Sequence, residues 1–227
     1  MIIGLGGLGV PSAIAAARAG VTRLGLIDPD PVELSNLARQ VIYREFDLGA
    51  LKVEAAARYL RRNYPALKIE TFPFALDDAN GAMIEQFGFV IDATDTPATK
   101  FLINDLCIRV GRPFVYGGVL GTAGQAMSVI PGHTACLRCL FEYPPAAAEA
   151  ASCREAGIIG PIAGAIGAAQ GDEAARYLCG RELQLANRIL TYDAVRTIRS
   201  RVAVVAPREG CGCGAWNANR IQPNAGI

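Results

Sequence analysis

Two close pairs of cysteines stand far apart in the chain. Cys136 and Cys139 form a Cys-x-x-Cys motif, and Cys211 and Cys213 form a tighter Cys-x-Cys motif near the C-terminus. Four thiolates in two pairs are a common ligand set for a tetrahedral structural zinc ion. A Cys-x-x-Cys pair also suits redox chemistry when it opens a helix beside a βαβ unit. The pattern favours a zinc site and leaves a redox role, or no role, as alternatives.

A glycine-rich turn follows the first predicted strand directly. The turn, Gly4-Leu-Gly6-Gly7-Leu-Gly9, leads into a helix that we expect over 12–19, and a second strand then ends in Asp28. Glycines let a backbone approach a phosphate closely, and a helix N-terminus offers free N–H groups to it. A carboxylate at the end of the second strand suits a ribose hydroxyl. Strand, turn, helix, strand and acid in this order predict a nucleotide site, with a merely tight structural turn as the alternative.

Cations beyond Asp28 help to distinguish a triphosphate from a dinucleotide. Transfer chemistry on a triphosphate needs positive groups that neutralise the charge of the transition state. Arg39 and Lys52, the latter at the start of a helix predicted over 52–62, can supply that charge. Both side chains could instead be exposed helix charges, which is where most charged residues lie.

Acids in the following part of the chain could hold a magnesium ion. A buried strand over 89–91 delivers Asp92 and Asp95 to its carboxyl end, the edge at which open α/β sheets bind ligands. A carboxylate there can coordinate Mg²⁺. Asp95 could alternatively be the N-cap of the helix predicted over 96–110.

The alternation of elements predicts one α/β domain over residues 1–227. We expect a Rossmann-like, mostly parallel sheet with helices on both faces and a more mixed second half. Further strands are predicted over 114–116, 125–130, 189–192 and 198–205. The segment 157–178 predicts a helix rich in small residues, including Gly160, Gly164, Gly167 and Gly171. Glycines at that spacing allow another helix to approach closely.

Composition excludes several classes of function. The 227 residues contain 22 Lys and Arg against 21 Asp and Glu, a net charge of +1, so nothing favours binding to nucleic acid or an anionic membrane. No apolar run reaches the length of a membrane span, and no signal peptide is recognisable. Seven cysteines, an odd number, argue for thiolate or metal chemistry rather than a disulfide framework. We therefore expect a cytoplasmic protein.

The motifs together closely resemble the ThiF/MoeB/HesA family, which is related to the ubiquitin-activating enzymes. The resemblance extends from Met1 to about Gly214, with the motifs in order and at family-like spacing. It is carried by the stretches 4–9, 27–30, 32–40, 52–54, 92–95 and 136–139. It implies an enzyme that uses ATP to adenylate the C-terminal carboxylate of a small ubiquitin-like sulfur-carrier protein.

The resemblance also implies a role for individual residues. Gly7 and Asp28 would contact the adenosine, and Asp95 would coordinate Mg²⁺ beside the reacting carboxylate. The phosphates would be held by Ser35, Asn36, Arg39 and Lys52. The wider nucleotide-binding set would add Gly4, Gly6, Gly9, Asp30, Gln40 and Thr96. The catalytic residues would be Arg39, Lys52, Asp95 and Cys153.

The resemblance places Cys153 on a loop over the active site, at about 143–156. A cysteine there would serve thioester, persulfide or acyl-disulfide chemistry, and Arg154 beside it favours the reactive thiolate. A small packing residue is the alternative. At the cysteine pairs the chain departs from the family, which usually closes its zinc site with a second Cys-x-x-Cys motif. Cys211-Gly-Cys213 could therefore supply both ligands or only one.

Partners and rival functions follow from the same resemblance. A homodimer, a sulfur-donor protein and a pathway such as thiamin or molybdopterin biosynthesis would be expected. Family members usually begin with helices that carry an arginine into the partner subunit's site, and this chain starts after that segment. Residues 215–227 predict a loose tail. A catalytically silent carrier-binding homologue and an NAD(P)-binding oxidoreductase are the alternatives.

Overall fold

The structure is a computed structural model that describes residues 1–145, 157–195 and 199–215, without the side chains of 199–201 and 214–215. The strands in these ranges are β1 (Ile2–Ile3), β2 (Arg23–Ile27), β3 (Lys68–Phe72), β4 (Val90–Asp92), β5 (Phe114–Leu120), β6 (Ala123–Val129), β7 (Arg188–Asp193) and β8 (Arg199–Val204). The helices are α1 (Gly9–Arg18), α2 (Lys52–Asn63), α3 (Pro97–Val110), α4 (Leu137–Leu140) and α5 (Gly160–Leu178). Short 3-10 helices cover Leu34–Asn36, Glu45–Asp47, Gly81–Gln86 and Gly212–Ala215.

The strands form an eight-stranded sheet in the order β3-β2-β1-β4-β5-β6-β7-β8. The pairs from β3 to β5 are parallel, and the pairs from β5 to β8 are antiparallel. Ile3 pairs with Ile27 on one side and with Asp92 on the other, so β1, β2 and β4 end together at one edge of the sheet. The predicted Rossmann-like half and mixed second half are confirmed.

Helices cover both faces of the sheet because successive strand residues point to opposite sides. Ile2 and Leu26 lie in a buried cluster with residues of α1, α2 and α5, whereas Ile3 and Ile27 lie in a second cluster with residues of α3. Burying one such aliphatic side chain contributes about 1.5–3 kcal/mol. The two cores therefore hold the sheet edge rigidly from both faces.

Glycines of α5 allow close packing against α1, as the sequence predicted. A Cβ atom at Gly167 would lie 2.3 Å from the Leu8 carbonyl oxygen, and one at Gly171 would lie 2.5 Å from that of Ser12. A Cβ at Gly164 would meet nothing within 4 Å. The close approach thus occurs within this chain, and the face of α5 at Gly164 stays open.

Some predicted boundaries were wrong by a few residues. Helix α1 begins at Gly9 rather than Ser12, because Pro11 fits the first turn of a helix, where its missing N–H has no partner to lose. The edge strand β3, Lys68–Phe72, was not predicted at all.

Other predictions concern parts of the chain that the structure covers only partly. Most of the predicted loop 143–156 and of the tail 215–227 lies outside the described residues. A single domain over 1–227 stays a prediction. No helix in the described ranges is both long and apolar enough to cross a membrane.

Candidate functional site

The glycine turn between β1 and α1 packs against the backbone that follows β4. Gly4 has a φ of +91°, and its N–H donates to the Ile27 carbonyl at 2.8 Å. A Cβ atom at Gly4 would lie 2.7 Å from the Ala93 carbonyl oxygen, and one at Gly9 would lie 1.8 Å from the Gly4 oxygen. The turn leaves no space for side chains at these two positions, which explains both glycines.

Asp28 follows β2 and organises this turn. Only 5% of the residue is exposed, and its Oδ2 accepts the Leu5 N–H at 2.7 Å. Its Oδ1 accepts the Asp30 N–H at 2.9 Å. Burial raises the pKa of Asp28, against the opposing effects of these hydrogen bonds and of Lys52. Asp28 therefore has a structural role that sequence analysis did not predict, in addition to the ribose contact that stays a prediction.

Lys52 opens α2 at the same edge of the sheet. Its Nζ lies 2.8 Å from Asp30 Oδ2 and 3.8 Å from Asp28 Oδ1. Only 8% of the Lys52 side chain is exposed, so the alternative of a freely solvated helix charge does not apply. The two acids hold the ammonium group beside the glycine turn, where it can meet an anion.

Arg39 and Gln40 line the other side of the glycine turn. A Cβ atom at Gly7 would lie 3.9 Å from Arg39 Cδ, and one at Gly6 would lie 3.6 Å from Gln40 Nε2. Gln40 is 2% exposed, and its Oε1 has no hydrogen-bond partner within the described ranges. A buried acceptor without a donor is unusual and marks a place where a ligand group or water would fit.

The 3-10 turn before Arg39 holds the other two predicted phosphate contacts. Asn36 is buried, and its Oδ1 accepts the Glu33 N–H at 3.1 Å. Its Nδ2 donates to Ser35 Oγ at 3.3 Å, and Arg39 Nη1 donates to the Ser35 carbonyl at 2.8 Å. The Ser35 side chain is exposed, whereas the Asn36 amide is committed to shaping the turn.

Tyr43 lies beneath the site and was missed by sequence analysis. Its hydroxyl group lies 3.0 Å from the Leu5 carbonyl oxygen, to which it donates, and 3.4 Å from the Lys52 carbonyl oxygen. One buried side chain thus joins the glycine turn to the start of α2.

Asp95 is the accessible acid that follows β4. It is exposed and makes no hydrogen bond or ion pair with any residue of the described segments. The N-cap of α3 is Thr96, without a side-chain capping bond, so the alternative that Asp95 caps this helix is wrong. Thr96 Oγ1 instead lies 2.6 Å from Thr99 Oγ1. The Asp95 carboxylate is free to bind a cation.

Asp92, the other acid expected at this edge, is not available to a ligand. Its residue exposure is 0%, and Lys100 Nζ lies 3.3 Å from both of its carboxylate oxygens. Asp92 thus lies at the predicted edge of the sheet, but its carboxylate belongs to the interior.

The four predicted cysteine ligands converge on one place, and the Cys136–Cys139 segment there contacts α3 through a 2.9 Å hydrogen bond from the Leu137 N–H to Asn104 Oδ1. Their Sγ atoms all lie within 4.8 Å of one another. The measured contacts are 3.9 Å for Cys136–Cys139, 3.7 Å for Cys136–Cys211 and 3.5 Å for Cys139–Cys213. Tetrahedral zinc with Zn–S bonds of about 2.3 Å would separate its sulfurs by about 3.8 Å. The cluster fits that geometry, and the tighter Cys211-Gly-Cys213 pair takes part in it.

The sequence profile of the ThiF family matches residues 1–213 of this chain. The chain belongs to the ThiF family. The matched range includes the glycine turn, Asp92, Asp95 and all four clustered cysteines. It also includes Cys153, which lies outside the residues that the structure describes.

Several curated relatives share the description adenylyltransferase and sulfurtransferase. The adenylyltransferase and sulfurtransferase MOCS3 of Anopheles gambiae is 38% identical over 194 residues, which cover 85% of this chain and 44% of that protein. The adenylyltransferase and sulfurtransferase UBA4 of Debaryomyces hansenii is 39% identical over 181 residues, with coverages of 78% and 40%. The ThiF-family chain thus spans less than half the length of these two relatives.

Solved structures show the same fold at low identity. E. coli MccB crystallised with ATP has a TM-score of 0.80 and 19% identity, and the match covers 94% of this chain and 64% of MccB. MccB in complex with N-formylated MccA gives the same TM-score and identity, with coverages of 94% and 66%.

Proposed function

We propose that this chain catalyses the ATP-dependent adenylation of the C-terminal carboxylate of a small ubiquitin-like sulfur-carrier protein. The observation that carries the proposal is the pairing of an unpartnered carboxylate, Asp95, with a glycine turn and the buried cation of Lys52 at one sheet edge. An NAD(P)-binding oxidoreductase would need no such carboxylate. The names of the relatives, adenylyltransferase and sulfurtransferase, agree with the proposal.

The residues present fit a magnesium-bound ATP. The glycine turn and Asp28 would take the adenosine, and the orphaned Gln40 Oε1 offers an acceptor beside the turn. Ser35, Arg39 and Lys52 would contact the phosphates. Mg²⁺, held by Asp95, would supply charge neutralisation on the phosphate oxygens.

In the proposed reaction a carboxylate oxygen of the carrier attacks the α-phosphorus of ATP. The bond from that phosphorus to the bridging oxygen breaks, pyrophosphate leaves with the electron pair, and a carrier acyl-adenylate remains. No proton needs to move, because the carboxylate is already ionised. The contribution of the protein is therefore positioning and charge stabilisation, which Arg39 and Lys52 would supply to the leaving pyrophosphate.

Lys52 would have to share its ammonium group during this reaction. In the structure it lies 2.8 Å from Asp30, whose side chain is 61% exposed. Because the Asp30 carboxylate is open to water, this half-exposed pair is partly screened, and a polyphosphate can compete with Asp30 for the cation. The more distant Asp28, at 3.8 Å, would keep the ammonium group at the sheet edge.

We further propose one structural Zn²⁺ held by the four clustered cysteines. Burial raises the pKa of Cys136 to about 11, so its thiol stays protonated at neutral pH until a metal ion displaces the proton. The ion would fasten the chain after β8 to the segment after β6.

The remaining expectations belong to the same proposal. A second copy of the chain would cover the groove between α1 and α5, where Ile14, Val41 and Gly164 line an open surface. A sulfur-donor protein would act after adenylation, with Cys153 as the residue that receives or passes sulfur. The enzyme would work in the cytoplasm.

The test is carrier-dependent exchange of pyrophosphate into ATP. Asp95→Ala should abolish the exchange while leaving the melting temperature unchanged, since Asp95 is exposed and makes no hydrogen bond or ion pair in the described parts of the chain. Asp78→Ala is the matched control, because it removes an exposed carboxylate that forms a surface ion pair with Arg109 at 3.5 Å. Its exchange rate should match that of the wild type.

Three results would reject the proposal. Persistent exchange in Asp95→Ala would exclude the metal role of that residue. Carrier binding without any exchange by the wild type would show a silent homologue. A thermal shift with NAD(P) but not with Mg·ATP would show an oxidoreductase.

A further inference from the structure

A buried ion pair lies at the end of β4, three residues before Asp95. It joins Asp92, the last residue of β4, to Lys100 in the first turns of α3, with 3.3 Å from Nζ to each carboxylate oxygen. The exposed fraction of the side chain is 1% for Asp92 and 10% for Lys100. Buried charges of this kind are costly to leave unpaired, so each fixes the position of the other.

Lys100 also connects β4 to the neighbouring strand. Its ammonium group donates to the carbonyl oxygen of Gly117 in β5 and lies 5.1 Å from the centre of the Tyr116 ring. The cation is therefore surrounded by one carboxylate, one carbonyl and one aromatic face. These contacts fix the position of α3 relative to the ends of β4 and β5.

Asp92 also holds the backbone segment that leads to Asp95. Its Oδ1 accepts the Thr94 N–H at 3.1 Å and the Thr94 hydroxyl at 2.7 Å. Its own carbonyl accepts from Gln170 Nε2 of α5 at 2.6 Å. The backbone of 92–94 is thus held from two sides, and Asp95 follows as the first exposed residue.

The pair also controls the charge at this edge. With Lys100 in place, Asp92 contributes no net charge, and Asp95 is the only uncompensated carboxylate of the segment 92–96. Without the ammonium group, Asp92 would be a second negative group, three positions before Asp95. It would also lose its connection through Lys100 to Gly117 of β5. It could then repel phosphates or draw the metal ion inward.

We propose that Lys100 is a positioning residue for the metal-binding carboxylate of Asp95, acting through its ion pair with Asp92. The proposal rests on the function proposed above. It assigns Lys100 no contact with ATP or the carrier. Its effect is on how much a divalent cation strengthens the binding of ATP.

The test compares the dissociation constant of ATP in EDTA with that in Mg²⁺, measured by calorimetry without any carrier. In Lys100→Met the ratio of the dissociation constant in EDTA to that in Mg²⁺ should fall about tenfold, which is the scale for losing a partner of a metal ligand. The dissociation constant in EDTA should stay within about twofold of the wild-type value. Lys100→Arg, which keeps the charge, should retain the wild-type ratio. Arg109→Met is the matched control on the same helix, since it removes an exposed ion pair.

The double variant Asp92→Asn with Lys100→Met provides the decisive rescue. The introduced asparagine keeps an acceptor for Thr94 but has no charge, so the magnesium effect should return to within about threefold of the wild type. If Lys100→Met does not fold, the double variant and Lys100→Arg decide, and a magnesium effect reduced about tenfold in either folded variant overturns the proposal.

Two outcomes would overturn it. One is a wild-type magnesium effect in Lys100→Met. The other is equal weakening of ATP binding in EDTA and in Mg²⁺ without rescue in the double variant, which would show a purely structural residue. Failure of the proposed function would look different, because the wild type itself would then show no carrier-dependent pyrophosphate exchange.

Discussion

Replacing Tyr43 by Phe removes one oxygen atom from beneath the candidate site. The ring stays in the core, where the residue is 2% exposed. The lost hydroxyl group lies 3.0 Å from the Leu5 carbonyl oxygen and 3.4 Å from that of Lys52. Because it has one proton, it completes one good hydrogen bond, to Leu5, and only a weak second contact.

The size of the effect follows from those distances. Losing one buried hydrogen bond and leaving its acceptor unpaired costs about 1.5 kcal/mol. For a chain of this length the melting temperature should then fall by about 3–6 °C. The affinity for ATP should fall several-fold as well, because the Leu5 carbonyl belongs to the glycine turn.

The loss should not depend on pH in the neutral range. Burial, assisted by the charges of Asp28 and Asp47, raises the pKa of Tyr43 far above that of a free tyrosine. The folded-state pKa is raised, so the hydroxyl keeps its proton and donates its hydrogen bond up to at least about pH 9.

Urea unfolding of the wild type, Tyr43→Phe and Tyr59→Phe at two pH values measures this. Tyr59 of α2 is the matched control, since its hydroxyl group makes no hydrogen bond to the described residues. Equal stability of the two variants would refute the reasoning. So would a difference that disappears between pH 7 and pH 9.

Three further predictions concern the proposed site and metal. Lys52→Ala and Arg39→Ala should each slow pyrophosphate exchange by a factor on the order of 10² or more. Near-normal rates in steady-state assays would show that neither residue takes part in the reaction. Cys136→Ser and Cys213→Ser should both lose the one zinc ion per chain in metal analysis, and loss from Cys136→Ser alone would mean that the Cys-x-Cys pair is half used. Cys153→Ser should leave exchange unchanged but reduce thiocarboxylate formation, as followed by mass spectrometry, and equal thiocarboxylate rates would make it a packing residue.

The sequence predicted those parts of the fold that depend on neighbours in the chain. Glycine spacing, apolar strands and the acids after them are local patterns, and they were enough to place Gly4, Asp28 and Asp95 at one sheet edge. The edge strand β3 was missed because Lys68-Ile-Glu-Thr-Phe combines charge with short length and has no strong apolar run.

Contacts between distant residues were not predictable in the same way. Gln170 meets the Asp92 carbonyl across 78 positions, and Tyr43 meets Leu5 across 38. Sequence analysis did not single out Lys100, although a lysine on the inner side of α3 facing a strand-end acid could have signalled a pair. Sequence patterns show which face of an element is buried but not which polar groups meet there.

The two cysteine pairs have a consequence for the topology of the chain. A metal ion that holds both pairs closes the backbone between Cys139 and Cys211 into a ring that contains α5, β7 and β8. Such a closure reduces the conformational entropy of the unfolded chain, as a crosslink does, and its effect grows only slowly with ring size. A protease that cuts once anywhere in the ring would leave two fragments still tied through the metal, and a chelator would remove that tie.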